Sequence, residues 1–482
     1  MLKRRFISTE KNNLLSSAVI YTIGLVLVRG LGFISAPIFT NLLTPADYGI
    51  TSTFATWTLL MQTVFSLYTQ GSLVAALKDY KGKEYDRYVS SILNLSGVCF
   101  VICGALYLGN LGWISRMLGY TKFIAILLII SAYVSFVFNF YQVKLIYEGK
   151  DLQYILSSFV ISLSSILVSY GLIRILPENL AVDGRLVGGV IPLLVITAGY
   201  LFFQYRRGWC FYSKEFWKYA VELSVPMIFT TLANVFLSQI ARLMLQHLSG
   251  EHEAGIYSFA YTLGEIPSFI RLGIFNAWLP WYFRMISKKE NVPNIVNMAR
   301  MLSRFFCVII LGFVFVSPEV YKILSPESYW EGIPILMYIA AGMYFYFITC
   351  FYSARFQYDK RNKWISYITV ISAAVNVILN ELLIPSYGFM GAAAVSMIAY
   401  IVLYAAYLFL AQRNNSMDGI TGKVFRFDII LLAVGCAVYF LLKNHAVIRW
   451  MIGICLGIYL VCYFFNTRSL FKSLQGKEKE SV

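Results

Sequence analysis

Among the arginines that lie inside apolar stretches of this 482-residue chain are Arg29, Arg242, Arg271, Arg300 and Arg304. A guanidinium in bilayer hydrocarbon is unfavourable unless it meets water or a partner, so such residues mark substrate or ion pathways. The planar fork of arginine matches the oxygens of a phosphate, which makes anion binding the chemistry to expect. Arg29 stands about fourteen residues from either end of its stretch, near mid-membrane at ~1.5 Å per residue and out of easy reach of an interface. Arg271 follows Gly264-Glu265-Ile266-Pro267-Ser268-Phe269-Ile270, where Pro267 frees a backbone carbonyl one turn earlier and invites a kink. For both residues the alternative is a structural pair with an acid or carbonyl. Arg242, Arg300 and Arg304 lie nearer stretch ends, where snorkelling satisfies them and a phosphate at either mouth could also use them.

Two acids belong beside these cations. Glu265 is too far from Arg271 for i,i+4 pairing on a straight helix. It reads either as a proton-titrating or cation-binding group or as the ion-pair partner of an arginine. Asp47 follows Thr44-Pro45-Ala46, so Thr44 as N-cap, Pro45 at the first position and Asp47 at the capping-box position predict a helix start. A role for Asp47 in ion coupling or gating competes with that cap.

Nothing resembles a catalytic centre. His247, His252 and His445 lie near gaps, with no Ser or Cys nucleophile at a recognisable motif and no phosphate-binding glycine loop. The eight cysteines are scattered, mostly through apolar stretches, without metal-type spacing. The chain is therefore expected to be neither an enzyme nor an ATPase, and to hold no metal or other cofactor.

The elements that must carry these residues are fourteen apolar stretches separated by thirteen hydrophilic gaps, beginning with 14–41 and 46–77 and ending with 427–442 and 446–465. About 20 apolar residues cross a bilayer as a helix. Runs such as Ile124 to Ile130 are apolar at every position, which excludes the alternation of a membrane barrel. Charged residues make up 13% of the chain, against about a quarter in soluble domains. Of the 40 Lys and Arg, 28 fall at the two ends and in alternate gaps and only 7 in the intervening gaps, which places both termini in the cytoplasm. The net charge of +16 then follows from insertion and contact with anionic lipid rather than from nucleic-acid binding. The basic start, Met1 to Asn13, precedes a stretch too long for a signal-peptide core, so it is expected to remain attached.

The chain also repeats itself. Leu43-Thr44-Pro45-Ala46-Asp47-Tyr48-Gly49-Ile50 is echoed by Leu248-Ser249-Gly250-Glu251-His252-Glu253-Ala254-Gly255-Ile256, and Ser52 and Thr56 by Ser258 and Thr262. At an offset of 211, Tyr141, Lys144, Tyr147, Glu148 and Lys150 match Tyr352, Arg355, Tyr358, Asp359 and Arg361. Six helices per unit return the chain to the same face, so the repeats are parallel about an axis along the membrane normal. The expected architecture is all-α and polytopic, with about 14 transmembrane helices. It comprises two six-helix lobes in parallel pseudo-twofold repeat, at 1–210 and 211–413, and two further helices with a cytoplasmic tail at 414–482. Two such lobes suit alternating access around a central cavity.

This plan, the Leu43-Thr44-Pro45-Ala46-Asp47-Tyr48-Gly49 turn and the run Tyr387-Gly388-Phe389-Met390-Gly391-Ala392-Ala393-Ala394 resemble the bacterial polysaccharide flippases of the multidrug, oligosaccharidyl-lipid and polysaccharide exporter superfamily. The resemblance implies a V-shaped pair of lobes in the plasma membrane. It also implies transfer of undecaprenyl-diphosphate-linked oligosaccharide repeat units to the outer leaflet, for capsule or O-antigen synthesis. By helix position, the arginines and acid used by related lipid II flippases correspond to Arg29, Arg271 and Asp47. Coupling to a proton or sodium gradient, and partnership with membrane lipid and a polysaccharide polymerase machinery, are further implications of the family. The competing functions are a multidrug exporter of organic cations, which predicts an acid-lined cavity, and a glycan polymerase, which needs larger loops than the dozen or so residues present.

Overall fold

The computed structural model describes residues 30–286, 292–413 and 419–476. Among them the chain forms helices and turns with no strand. In chain order the helices are α1 (Gly30–Thr40), α2 (Pro45–Phe65), α3 (Leu73–Asp79), α4 (Lys83–Gly109), α5 (Leu111–Leu118), α6 (Lys122–Tyr147), α7 (Asp151–Ile175) and α8 (Ala181–Arg207). They continue as α9 (Lys214–Leu248), α10 (Glu251–Gly264), α11 (Pro267–Met285), α12 (Val292–Leu324), α13 (Ile335–Tyr358), α14 (Asn362–Arg413), α15 (Gly422–Leu441) and α16 (Ala446–Gly476).

Ten described helices are long and apolar enough to cross a membrane. One of them, α14, has 52 residues and a non-helical Gly388 (φ 52, ψ −137), so it holds two crossings. Together with α1, with α2 and with the α10–α11 pair, this agrees with the expected fourteen or so; the protein is an all-α, multi-pass membrane protein. Two expected stretches and one gap differ in detail. The stretch 46–77 is interrupted after Phe65, because Leu67 and Tyr68 are left-handed (φ 55 and 51). That break is held by a buried hydroxyl network: Ser96 Oγ donates to the Ser66 carbonyl (2.9 Å) and lies 2.7 Å from Thr69 Oγ1, and Tyr88 donates to Ser72 Oγ (2.6 Å). The eighth of the fourteen apolar stretches, 254–286, divides into α10 and α11, and the short α5 occupies the gap that follows α4.

The chain packs as two compact units, Met1–Ser258 and Phe259–Val482. In the first, α6 is the most buried of the candidate spans, with 61% of its apolar window covered against 17% for α7. Its Phe136 and Phe140 pack with Tyr88, Val89 and Phe100 of α4. The α7–α8 hairpin closes on Gly188, where a Cβ would stand 2.4 Å from Ser169 Cα; small residues let membrane helices approach this closely. In the second unit α13 is the central helix, 83% covered, packed against α14 and α12.

The repeat read from sequence has a counterpart inside each unit. The helices matched at the offset of 211, α6 and α13, are the most covered candidate spans of their own units. Each ends in an i,i+4 ion pair at the matched positions, Lys144 with Glu148 (3.5 Å) and Arg355 with Asp359 (3.0 Å).

Candidate functional site

The helix that carries Arg271 starts at a break. The backbone leaves helical bonding at Glu265 and Ile266 because Pro267 brings no N–H, and α11 restarts with Pro267 at its first position. Tighter three-residue bonds bridge the interruption: Ile266 N donates to the Leu263 carbonyl (3.1 Å) and Ser268 N to the Glu265 carbonyl (2.8 Å). One turn into α11, the Arg271 guanidinium lies 4.6 Å from the centre of the Tyr346 ring, a cation–π arrangement. Its Nη1 approaches Cys350 Sγ at 3.9 Å, a weak acceptor. Its Nε is buried and makes no hydrogen bond among the described residues, and no described carboxylate pairs with Arg271. A cation held by an aromatic face and a thiol keeps most of its five donors for something else.

Glu265 sits in the break itself, half-buried and engaged with its surroundings. Arg271 and Glu265 are therefore brought to the same interruption. Arg29 lies outside the described residues.

The other candidates have local or structural partners. Asp47 forms the capping box with Thr44: its Oδ2 accepts from Thr44 N (3.1 Å) and from Thr44 Oγ1 (2.7 Å), while Thr44 Oγ1 accepts from Asp47 N (3.2 Å). Beside it, burial first and then the Asp47 charge push the Glu251 carboxyl above its usual value, with a Gln246 hydrogen bond opposing them. Arg242 donates from Nη1 to Gln239 Oε1 (2.5 Å). Arg300 is exposed, with Asn297 Oδ1 3.5 Å from its Nη1.

Arg304 does more than snorkel. Its Nε donates to Asp428 Oδ1 on α15 (3.1 Å). Asp428 is fully buried and accepts a second bond from Ser303 Oγ (2.8 Å). A second pair that the sequence pattern did not single out joins Glu319 of α12 to the buried Arg449 of α16. The available signal was an acid or a base inside or beside an apolar stretch, but which of many partners it meets is a long-range property. Among the described residues no cluster of three or more His, Cys, Asp or Glu could hold a metal ion.

The turns echoed in sequence touch each other within the first unit. A Cβ on Gly49 would stand 2.1 Å from the Glu251 carbonyl oxygen, and one on Gly255 would stand 1.7 Å from the Pro45 carbonyl oxygen. Ser52 Oγ and Ser258 Oγ share a 2.7 Å hydrogen bond. The start of α2 and the start of α10 can cross this closely only because both positions lack a side chain.

This fold is that of membrane flippases and multidrug transporters. A structure of the lipid II flippase MurJ in an inward closed conformation aligns with a TM-score of 0.73 at 16% identity, over 94% of this chain and 100% of that one. An inward-facing multidrug resistance MATE family transporter of the MOP superfamily aligns at 0.63 and 14% identity, over 84% of this chain and 99% of that one. An outward-facing MATE family transporter aligns at 0.55 and 16%, over 84% and 96%. No curated protein sequence matches the chain. The chain belongs to the polysaccharide biosynthesis protein family, whose pattern matches residues 14–286.

Proposed function

We propose that this protein flips undecaprenyl-diphosphate-linked oligosaccharide repeat units from the cytoplasmic to the outer leaflet of a bacterial plasma membrane, for capsule, O-antigen or other surface polysaccharide synthesis. The movement is ion-coupled alternating access of two six-helix lobes, 1–210 and 211–413, with both termini cytoplasmic. The family match and the flippase-type fold support this reading. The observation that carries it is Arg271: a guanidinium inside a membrane helix, beside a helix break, with a buried Nε and no described carboxylate. A diphosphate is the partner whose oxygens fit that fork. Arg29 serves with it, Arg242, Arg300 and Arg304 attract the headgroup at the mouths, and Glu265 takes up the coupling ion, with Asp47 at the gate.

The test is leaflet transfer of a fluorescent short-chain polyprenyl diphosphate glycan in vesicles containing the purified protein. Arg271→Ala is expected to slow transfer by at least about tenfold, the loss typical of a charge-assisted contact, and Arg271→Lys to retain part of it. Wild-type rates in Arg271→Ala together with Arg29→Ala would remove the mechanism. Efflux of organic cations without glycolipid transfer would assign the chain to the multidrug class instead.

A further inference from the structure

The described part of the first unit contains a second polar feature that the arginines do not explain. A cleft of about 390 Å³ opens among α2, α6, α7 and α8, within the size range of ligand pockets. Ser135, Asn139 and Gln142 line it from one face of α6, Ser158 and Ser162 from one face of α7, and Gln62 from α2. Spacings of four and three residues put each set on a single helical stripe. None of the lining residues is Asp, Glu, Lys, Arg or His.

Part of this lining is fixed. Ser158 Oγ donates to Gln142 Oε1 (3.0 Å), and Gln142 Nε2 donates to Ser157 Oγ (2.9 Å). The rest is unused. Gln62 is 8% exposed, and its Oε1 is buried with no hydrogen-bond partner among the described residues. Side chains that leave hydrogen-bonding capacity open inside a membrane span must meet water or a polar ligand, since acyl chains offer nothing in return. The cleft between the ends of α6, α7 and α8 is different in kind: Lys144, Lys150 and Arg207 line it with a single carboxylate, Glu148, so it carries excess positive charge. A neutral wall in which amides and hydroxyls stand beside Phe138, Ile161 and Leu193 would leave an anion or an organic cation without a counter-charge. It suits a ligand that is uncharged and rich in hydroxyls.

We infer that the cleft lined by Gln62, Ser135, Asn139 and Ser162 is a subsite for the neutral sugars of the cargo. This rests on the flippase reading above and adds to it a residue set for the glycan separate from the diphosphate contacts. Gln62 accepts a sugar hydroxyl, Asn139 both donates and accepts, and the two serines complete a surface selective for neutral over acidic sugars.

The experiment uses the full chain in liposomes and two probes, a fluorescent polyprenyl diphosphate carrying a neutral disaccharide and the same lipid without sugar. First, Ser162→Cys is labelled with a maleimide and quantified on its own peptide by mass spectrometry, which separates it from the native cysteines. The sugar-bearing probe is expected to slow labelling several-fold and the sugar-free probe to leave it unchanged. Second, Gln62→Leu with Asn139→Leu is expected to slow transfer of the sugar-bearing lipid by roughly tenfold without changing transfer of the sugar-free lipid. Equal protection by both probes, protection by neither, or a thiol that never labels would overturn the subsite. So would equal loss, or no loss, of transfer for both lipids. Sugar-specific protection in a protein that transfers neither lipid would sink the flippase reading and keep the subsite. Normal glycolipid transfer that ignores the cleft substitutions would do the reverse.

Discussion

Glu251 is the residue whose environment makes a prediction about pH. It starts α10 beside the Asp47 cap, and burial, reinforced by the Asp47 charge, holds its carboxyl above the ordinary 4.5. An acid with a higher pKa in the folded chain binds its proton more tightly when folded. The stability it contributes is therefore complete below the unfolded value and is lost as pH rises through the raised folded value. Corrected hydrogen-exchange protection of the turn before α10 is expected to fall as pH rises from about 4 to 7, and Glu251→Gln to flatten that slope. An unchanged slope in the variant would show that another group titrates there. At this scale sequence reading succeeds where the chemistry is local. The Thr44-to-Asp47 capping box spans one helical turn and was legible from residue types alone. Asp428, the partner of Arg304, stands 124 residues away, and Tyr346 and Cys350 come to Arg271 from another helix. No local pattern encodes those meetings.

At the scale of elements, hydropathy identified where the chain runs through the membrane but not where a run is broken. The α10–α11 break was foreseeable, because Pro267 removes a backbone donor in a known place. The break after α2 was not, because it rests on left-handed Leu67 and Tyr68, residues that seldom adopt that conformation, held by the Ser96 and Tyr88 hydroxyls of α4. The α2–α10 crossing is the element with the clearest functional consequence. Gly49 and Gly255 bring the helix starts together, and Ser52 and Ser258 meet at 2.7 Å. If alternating access separates these helices, joining them must stop the cycle. Ser52→Cys with Ser258→Cys is expected to form a disulfide under mild oxidation, since hydroxyls this near place their Cβ atoms within bonding reach. Transfer of the glycolipid should then cease and return with reductant. Wild-type transfer by the crosslinked protein would mean that this crossing stays closed throughout the cycle.

For the whole molecule, the alternation of apolar and basic segments was enough to give the class of fold, because a bilayer forces every spanning backbone into helices or closed barrels and the pattern excluded barrels. How the last two helices attach could not be read in that way, since the apolar effect does not choose a register between helices already in lipid. Ion pairs choose it here. On α12, Arg304 meets Asp428 of α15, and fifteen residues later, about 22 Å along the helix, Glu319 meets Arg449 of α16. The polarity reverses between the two clips, with the hairpin supplying the acid at one end and the base at the other. A shifted or inverted hairpin would leave buried charges unmatched. Asp428→Ala is therefore expected to lower stability by on the order of 3 kcal/mol, because it strands a partly buried guanidinium. Arg304→Met with Asp428→Leu is expected to recover most of that loss, since a well-packed apolar pair replaces a buried ion pair at little cost. Exchanging the other clip, Glu319→Arg with Arg449→Glu, should likewise be better tolerated than either change alone. Thermal unfolding of the purified variants in nanodiscs measures all of these differences. If each double variant is as unstable as its worst single variant, the charges do not set the register of the hairpin, and packing of α15 and α16 against α12 must do so unaided.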